Sequence, residues 1–218
     1  MLLSASFLML MPISQNASAD IARAEQERLN TCIELVETQP EEAYEDSLAW
    51  LANGNRPKAR YCNAIALLAM DNLEEGAARL EALAGAPDPI TLDDRARYLA
   101  QAGNAWLTAN YPEAAIVALS EAIRIEPNGL DTYKDRAAAY LATEKWVEGV
   151  DDLNTVLREI PTDAEALRMR AKAHLETENL SAAQADITDS LVHDPENIDT
   201  LVLRGEVREA IRLSRENG

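Results

Sequence analysis

The chain has 218 residues, 47% hydrophobic but only 5% aromatic, with 38 acidic against 20 basic side chains and a formal charge of −18. That length and apolar content can bury a substantial core, with Ala and Leu doing most of the packing. The acidity excludes a general nucleic-acid binder and electrostatic attachment to anionic lipid, since both need a concentrated basic surface.

Met1–Ile13 is almost wholly apolar, and Ala17-Ser18-Ala19 follows before Asp20, the pattern of a secretory signal cleaved near Ala19. The stretch is too short to span a membrane as a helix, which takes about 17–25 residues. It lacks a Lys or Arg near its start, so an uncleaved anchor or an apolar tail are the alternatives. Residues 1–19 are expected to be a signal peptide, leaving 20–218 as one exported, periplasmic helical domain with no membrane span.

From about Ile21 to Glu37, Leu29, Cys32, Ile33 and Val36 recur at helical spacing. Pro40 opens a second helix as a first-turn proline, and Asn53-Gly54-Asn55 ends it, giving a degenerate pair over 20–55. A divergent repeat covers 56–91, with Ala64, Leu73, Gly76, Leu80 and Leu83 as its apolar positions. Its turn, Gly85–Thr91, is about five residues longer than the period that follows. Ala86-Pro87-Asp88-Pro89 cannot continue a helix and is the expected bend or soft joint.

Pro127, Pro161 and Pro195 then stand 34 residues apart. In the same phase, Gly103, Ala137, Ala171 and Gly205 fill one column and Ala115, Gly149 and Ala183 a second. Leu119, Leu153 and Ile187 make a third, and Leu99, Tyr133, Leu167 and Leu201 a fourth. Small residues are needed where two helices of a hairpin approach, and large ones where hairpins stack, so this period predicts a solenoid of paired helices. Full repeats fall at 96–129, 130–163 and 164–197. Asn197 caps a last helix, 198–215, to which Asp199, Glu206, Glu209 and Arg212 give the polar outer side that the end of an array requires.

At these residues the chain resembles the tetratricopeptide repeat family, well over Leu99–Pro195 and moderately over Arg56–Pro89. The resemblance implies an all-α, right-handed superhelical solenoid of antiparallel helix pairs with a C-terminal capping helix. It also implies a concave face lined by the first helix of each pair, and a protein-binding scaffold rather than a catalyst. In such a solenoid Cys32 and Cys62 would lie on adjacent first helices. With two cysteines in an exported chain, one disulfide between them is expected, the alternative being two separate buried thiols.

No Gly-rich phosphate loop, His-Glu-x-x-His or Cys-x-x-Cys is present, and His174 takes an aromatic packing position. No catalytic, cofactor or metal site is therefore expected. Projecting the first helices leaves Ala100, Lys134, Arg168 and Val202 in one column and Asn104, Ala138, Lys172 and Glu206 in another. With Arg97 added, Arg97, Asn104, Lys134, Arg168 and Lys172 form a candidate concave groove for a carboxylate-bearing peptide. Some members of the resembled family clamp a peptide's terminal carboxylate with Lys, Asn and Arg, but Ala100 stands where the first clamp lysine would be. The same cations could instead form helical ion pairs: Lys134 with Asp131, Arg168 with Glu165, Lys172 with Glu176. The leading function is a non-catalytic adaptor of the cell envelope that binds a protein or peptide in this groove. The alternative is a structural subunit of an envelope complex, or a self-assembling protein, using the outer faces and the last helix.

Overall fold

A computed structural model describes residues 13–217, and these form eleven α-helices with no strand among them. α1 (Ile13–Thr38), α2 (Pro40–Ala52) and α3 (Pro57–Ala69) belong to one compact unit, which ends at Met70. The other begins at Asp71 and holds α4 (Leu73–Gly85), α5 (Leu92–Thr108), α6 (Pro112–Ile125), α7 (Leu130–Ala142), α8 (Trp146–Glu159), α9 (Ala164–Glu176), α10 (Leu180–His193) and α11 (Ile198–Asn217). Of the expected signal peptide, residues 1–19, residues 1–12 lie outside the described residues, and α1 starts at Ile13. α1 runs through Ala17-Ser18-Ala19 without a break.

The helix ends follow from local chemistry. Pro40, Pro57 and Pro112 sit in first turns, where their missing amide hydrogen leaves no bond unmade. Thr91, Asp163 and Asn197 cap α5, α9 and α11 by accepting from the amides of Asp94, Ala166 and Thr200 at 3.0, 2.9 and 3.0 Å. The turn inside each repeat passes through a left-handed residue: Asn110, Glu144 and Glu178, with φ of 65°, 58° and 57°. The next amide then bonds back to Trp106, Tyr140 or His174 at 2.8, 2.9 and 2.8 Å, the closing bond of a Schellman turn. Asp71 (φ 63°) precedes Asn110 by 39 residues, five more than the period, which measures the longer Gly85–Thr91 turn.

In the first unit, Cys32 of α1 and Cys62 of α3 form the disulfide, with Cα atoms 6.0 Å apart. Closing this 30-residue separation stabilises by roughly 3–4 kcal/mol in the chain-entropy account. Beneath it, buried Asn63 donates to buried Ser47 at 2.8 Å, tying α3 to α2. Trp50 is buried, donates to Glu25 at 3.4 Å, and carries the Arg28 guanidinium 4.7 Å over its ring.

In the second unit, α5 pairs with α6, α7 with α8 and α9 with α10, and each second helix also packs on the next first helix. The core therefore runs across pairs: Ala137, Leu153, Val156 and Leu167 form one cluster, and Ala171, Ala183, Ile187, Leu203 and Val207 the next. The loop expected to be a soft joint is bridged by packing and hydrogen bonds. α4 packs closely on α5, and the Arg95 guanidinium of α5 donates to the carbonyls of Ala84 and Ala86, satisfying the open end of α4 across the proline loop. The division between the units falls instead at Met70, between α3 and α4.

Two glycines of one column differ in what surrounds them. A Cβ on Gly103 would stand 2.5 Å from the Cγ of Leu119, which is fully buried, whereas one on Gly205 would meet nothing within 4 Å. Gly103→Ala should therefore destabilise the protein by about 1–3 kcal/mol. Gly205→Ala should stabilise it by about 0.5–1 kcal/mol, through helix propensity alone. Urea unfolding of the two variants beside the parent checks the opposite signs.

Candidate functional site

Neighbouring first helices also touch one another: α5 with α7, α7 with α9 and α9 with α11. Second helices pack mainly on first helices, so the row bends with its first helices on the inside. The five predicted site residues lie on these helices. Three of them, Asn104, Lys134 and Lys172, form links between repeats rather than part of a row of open cations.

Asn104 of α5 donates to Asp135 of α7 at 2.8 Å. Lys134 of α7 reaches forward to Asp163, the cap of α9, at 3.2 Å and to Glu165 at 3.1 Å. It does not pair with Asp131 in its own helix; the staggered first helices bring the next repeat's carboxylates closer. Lys172 of α9 binds Glu176 at 2.7 Å and approaches Glu206 of α11 at 3.7 Å. Arg97 pairs with Asp94 in its own helix at 2.5 Å. Arg168 is half-buried and has no carboxylate partner among the described residues; the expected pair with Glu165 is not made, because Glu165 turns to Lys134.

The electrostatics follow this wiring. Burial alone would pull Lys134 down, but its bonds to Glu165 and Asp163 prevail and raise its pKa. The bond to Glu176 raises Lys172. Burial lifts the Asp135 carboxyl above its ordinary range; the Asn104 amide opposes this, Asp131 adds to it, Lys134 opposes it and Glu165 adds again. The inner face thus holds alternating, mostly neutralised charge, with Arg168 uncommitted.

A second set of links was missed in the columns of the sequence. Arg136 of α7 grips Asp152 of α8 with two bonds of 2.8 and 2.7 Å and donates to Ser120 of α6 at 3.1 Å. Thirty-four residues on, Arg170 of α9 grips Asp186 of α10 at 2.8 and 2.7 Å and donates to Asn154 of α8 at 2.7 Å. Each arginine spans two consecutive second helices, and both aspartates are buried. The signal was available: Arg136 and Arg170, Asp152 and Asp186, and Ser120 and Asn154 all keep the proline interval. His174 sits half-buried 3.9 Å from Asp186, and burial lowers its pKa. Among the described residues no group of three or more His, Cys, Asp or Glu could hold a metal ion, and no helix is long and apolar enough to cross a membrane.

No protein-family model matches the sequence, and no curated protein does. Solved structures do. YrrB, described as a TPR protein with an unusual peptide-binding site, superposes with a TM-score of 0.71 at 14% identity, over 82% of this chain and 90% of that one. MamA from Desulfovibrio magneticus RS-1 gives 0.60 at 18% identity, over 75% and 97%. The second TPR domain of human RPAP3, in complex with the HSP70 peptide SGPTIEEVD, gives 0.52 at 20% identity, over 54% and 98%. The chain has the tetratricopeptide-repeat fold, as its columns implied.

Asp135 yields a signed pH prediction. A carboxyl whose pKa is raised by folding weakens the fold when ionised, and that penalty vanishes as pH falls below its ordinary value of 3.8. Asp135→Asn keeps an acceptor for Asn104 and removes the charge. Its melting temperature should exceed the parent's at about pH 7, and the gap should close as pH falls to about 4.

Proposed function

We propose that this protein is an exported, non-catalytic adaptor of the cell envelope that binds a protein segment along the inner face of α5, α7, α9 and α11. The segment presents a carboxylate to Arg168. The observation that carries this reading is that Arg168 is half-buried on that face, between the links made by Lys134 and Lys172, with no carboxylate of the described residues on it. A guanidinium held this way accepts a carboxylate in a two-bond fork without first releasing an internal partner. Support comes from fold neighbours whose ligands are peptides, one of them ending in Glu-Glu-Val-Asp. Asp135 of α7 and Glu165 of α9, carboxylates on the same first helices, favour a segment that alternates acidic with amide or basic groups.

Arg168→Glu is the informative substitution. Reversing Lys134 would also release Asp163, the cap of α9, and so confound binding with folding. The mature chain and the Arg168→Glu variant would each be used to capture partners from the host's envelope fraction. The expected result is equal melting temperatures and loss of a partner that the parent retains, with that retention weakening as salt rises. An unchanged partner set contradicts the site. Mass spectrometry of the native protein tests export: the expected first residue is Asp20, and an intact Met1 contradicts it.

A further inference from the structure

The columns that build the Arg–Asp links continue into α11. Arg204 follows Arg170, and Thr188 follows Asn154, by the same 34 residues. Arg204 and Thr188 line one notch between α10 and α11, together with Gln184, Ile187, Val207 and Arg208. At Arg136 and Arg170 the notch is closed by an aspartate from a second helix. At Arg204 no carboxylate of the described residues closes it.

Two further features mark the same face. Gly205 belongs to the small column where Gly103 meets Leu119, yet nothing lies within 4 Å of where its side chain would be. A glycine inside a helix lowers its stability, so the absence of a side chain here leaves a seat for a closely approaching helix. Arg208, Arg212 and Arg215 extend the charge from Arg204 at spacings of four, four and three, with Ile211 among them. Among the described residues Arg212 is neutralised, by Glu209 and Glu216, and no carboxylate pairs with Arg204, Arg208 or Arg215. In a chain of net charge −18, this is a local reversal of sign on one helix face.

We infer that this face of α11 takes an acidic helix from a partner protein, seated as the second helix of a repeat with its carboxylate forked on Arg204. The pattern it would read is set by α8 and α10: a small residue, two variable ones, Asp, then Leu or Ile. It occurs as Gly149-Val150-Asp151-Asp152-Leu153 and as Ala183-Gln184-Ala185-Asp186-Ile187. In the docked helix the branched residue packs over Gly205, as Leu119 does on Gly103. The small residue lets the two backbones approach, and the remaining acidic groups meet Arg208 and Arg215. This surface is separate from Arg168, so either can fail alone.

The probe is a fluorescent peptide with the sequence of residues 146–159, capped at both ends and titrated with the full chain. Saturable binding is expected, and Arg204→Glu should weaken it by about tenfold or more, the loss that follows from breaking a forked charge pair. Gly205→Leu should weaken it comparably without lowering the melting temperature, which separates a filled seat from an unfolded helix. Asp152→Arg in the peptide should abolish binding to the parent and recover it with Arg204→Glu. Equal affinity across parent, Arg204→Glu and Gly205→Leu would overturn the inference. Self-association of the chain that Arg204→Glu abolishes would also overturn it, by giving the face to a second copy.

Discussion

Everything in the second unit depends on how closely two helices can approach at one small residue per repeat. Ala137 and Ala171 have no exposed surface, and Leu153 and Ile187 fill the space against them. That approach sets the offset between the helices of a pair, and with it the positions from which Arg136 reaches Asp152 and Arg170 reaches Asp186. One pair cannot bury both sides of its helices, so each core cluster borrows side chains from the next first helix, as Leu167 and Met169 do beneath α8.

Charge is organised on the same frame. A buried arginine–aspartate fork adds little net stability over an apolar pair of the same shape, but removing one partner leaves an uncompensated charge costing about 3–5 kcal/mol. Such forks therefore favour one register over slipped alternatives. Cations in this acidic chain are mostly spent in this way: Lys134 and Lys172 stitch successive first helices, and Arg95 closes the end of α4. Arg168, and Arg204, Arg208 and Arg215 of α11, are not consumed in this way by carboxylates of the described residues; Arg212 is, by Glu209 and Glu216.

The fold was legible because packing residues repeat in kind as well as in position, and the disulfide partners were the two cysteines present. The turns were less legible. Asn110, Glu144 and Glu178 adopt left-handed backbone without a glycine to announce it, since the closing bonds to Trp106, Tyr140 and His174 compensate the strain. Pairing was the weakest point. Reading charges along one helix matched Lys172 with Glu176 but sent Lys134 to Asp131, because helical spacing carries no information about the neighbouring helix. The forks at Arg136 and Arg170 kept the repeat interval and were overlooked because charged residues on an amphipathic helix are ordinarily assigned to solvent. The proline loop at Ala86–Pro89 looked like a joint from backbone chemistry alone, which says nothing of Arg95 reaching back across it.

Helix approach at the small column holds each repeat and is shared only with adjacent ones. Hydrogen–deuterium exchange of Ala137→Trp, read helix by helix against the parent, tests it most directly. Ala137 is fully buried in the α7–α8 contact, so a tryptophan there must force the pair apart. Protection should be lost in α7 and α8 and weakened in α6 and α9, with α1–α3 exchanging as in the parent. Undiminished protection in α7 and α8 would contradict it.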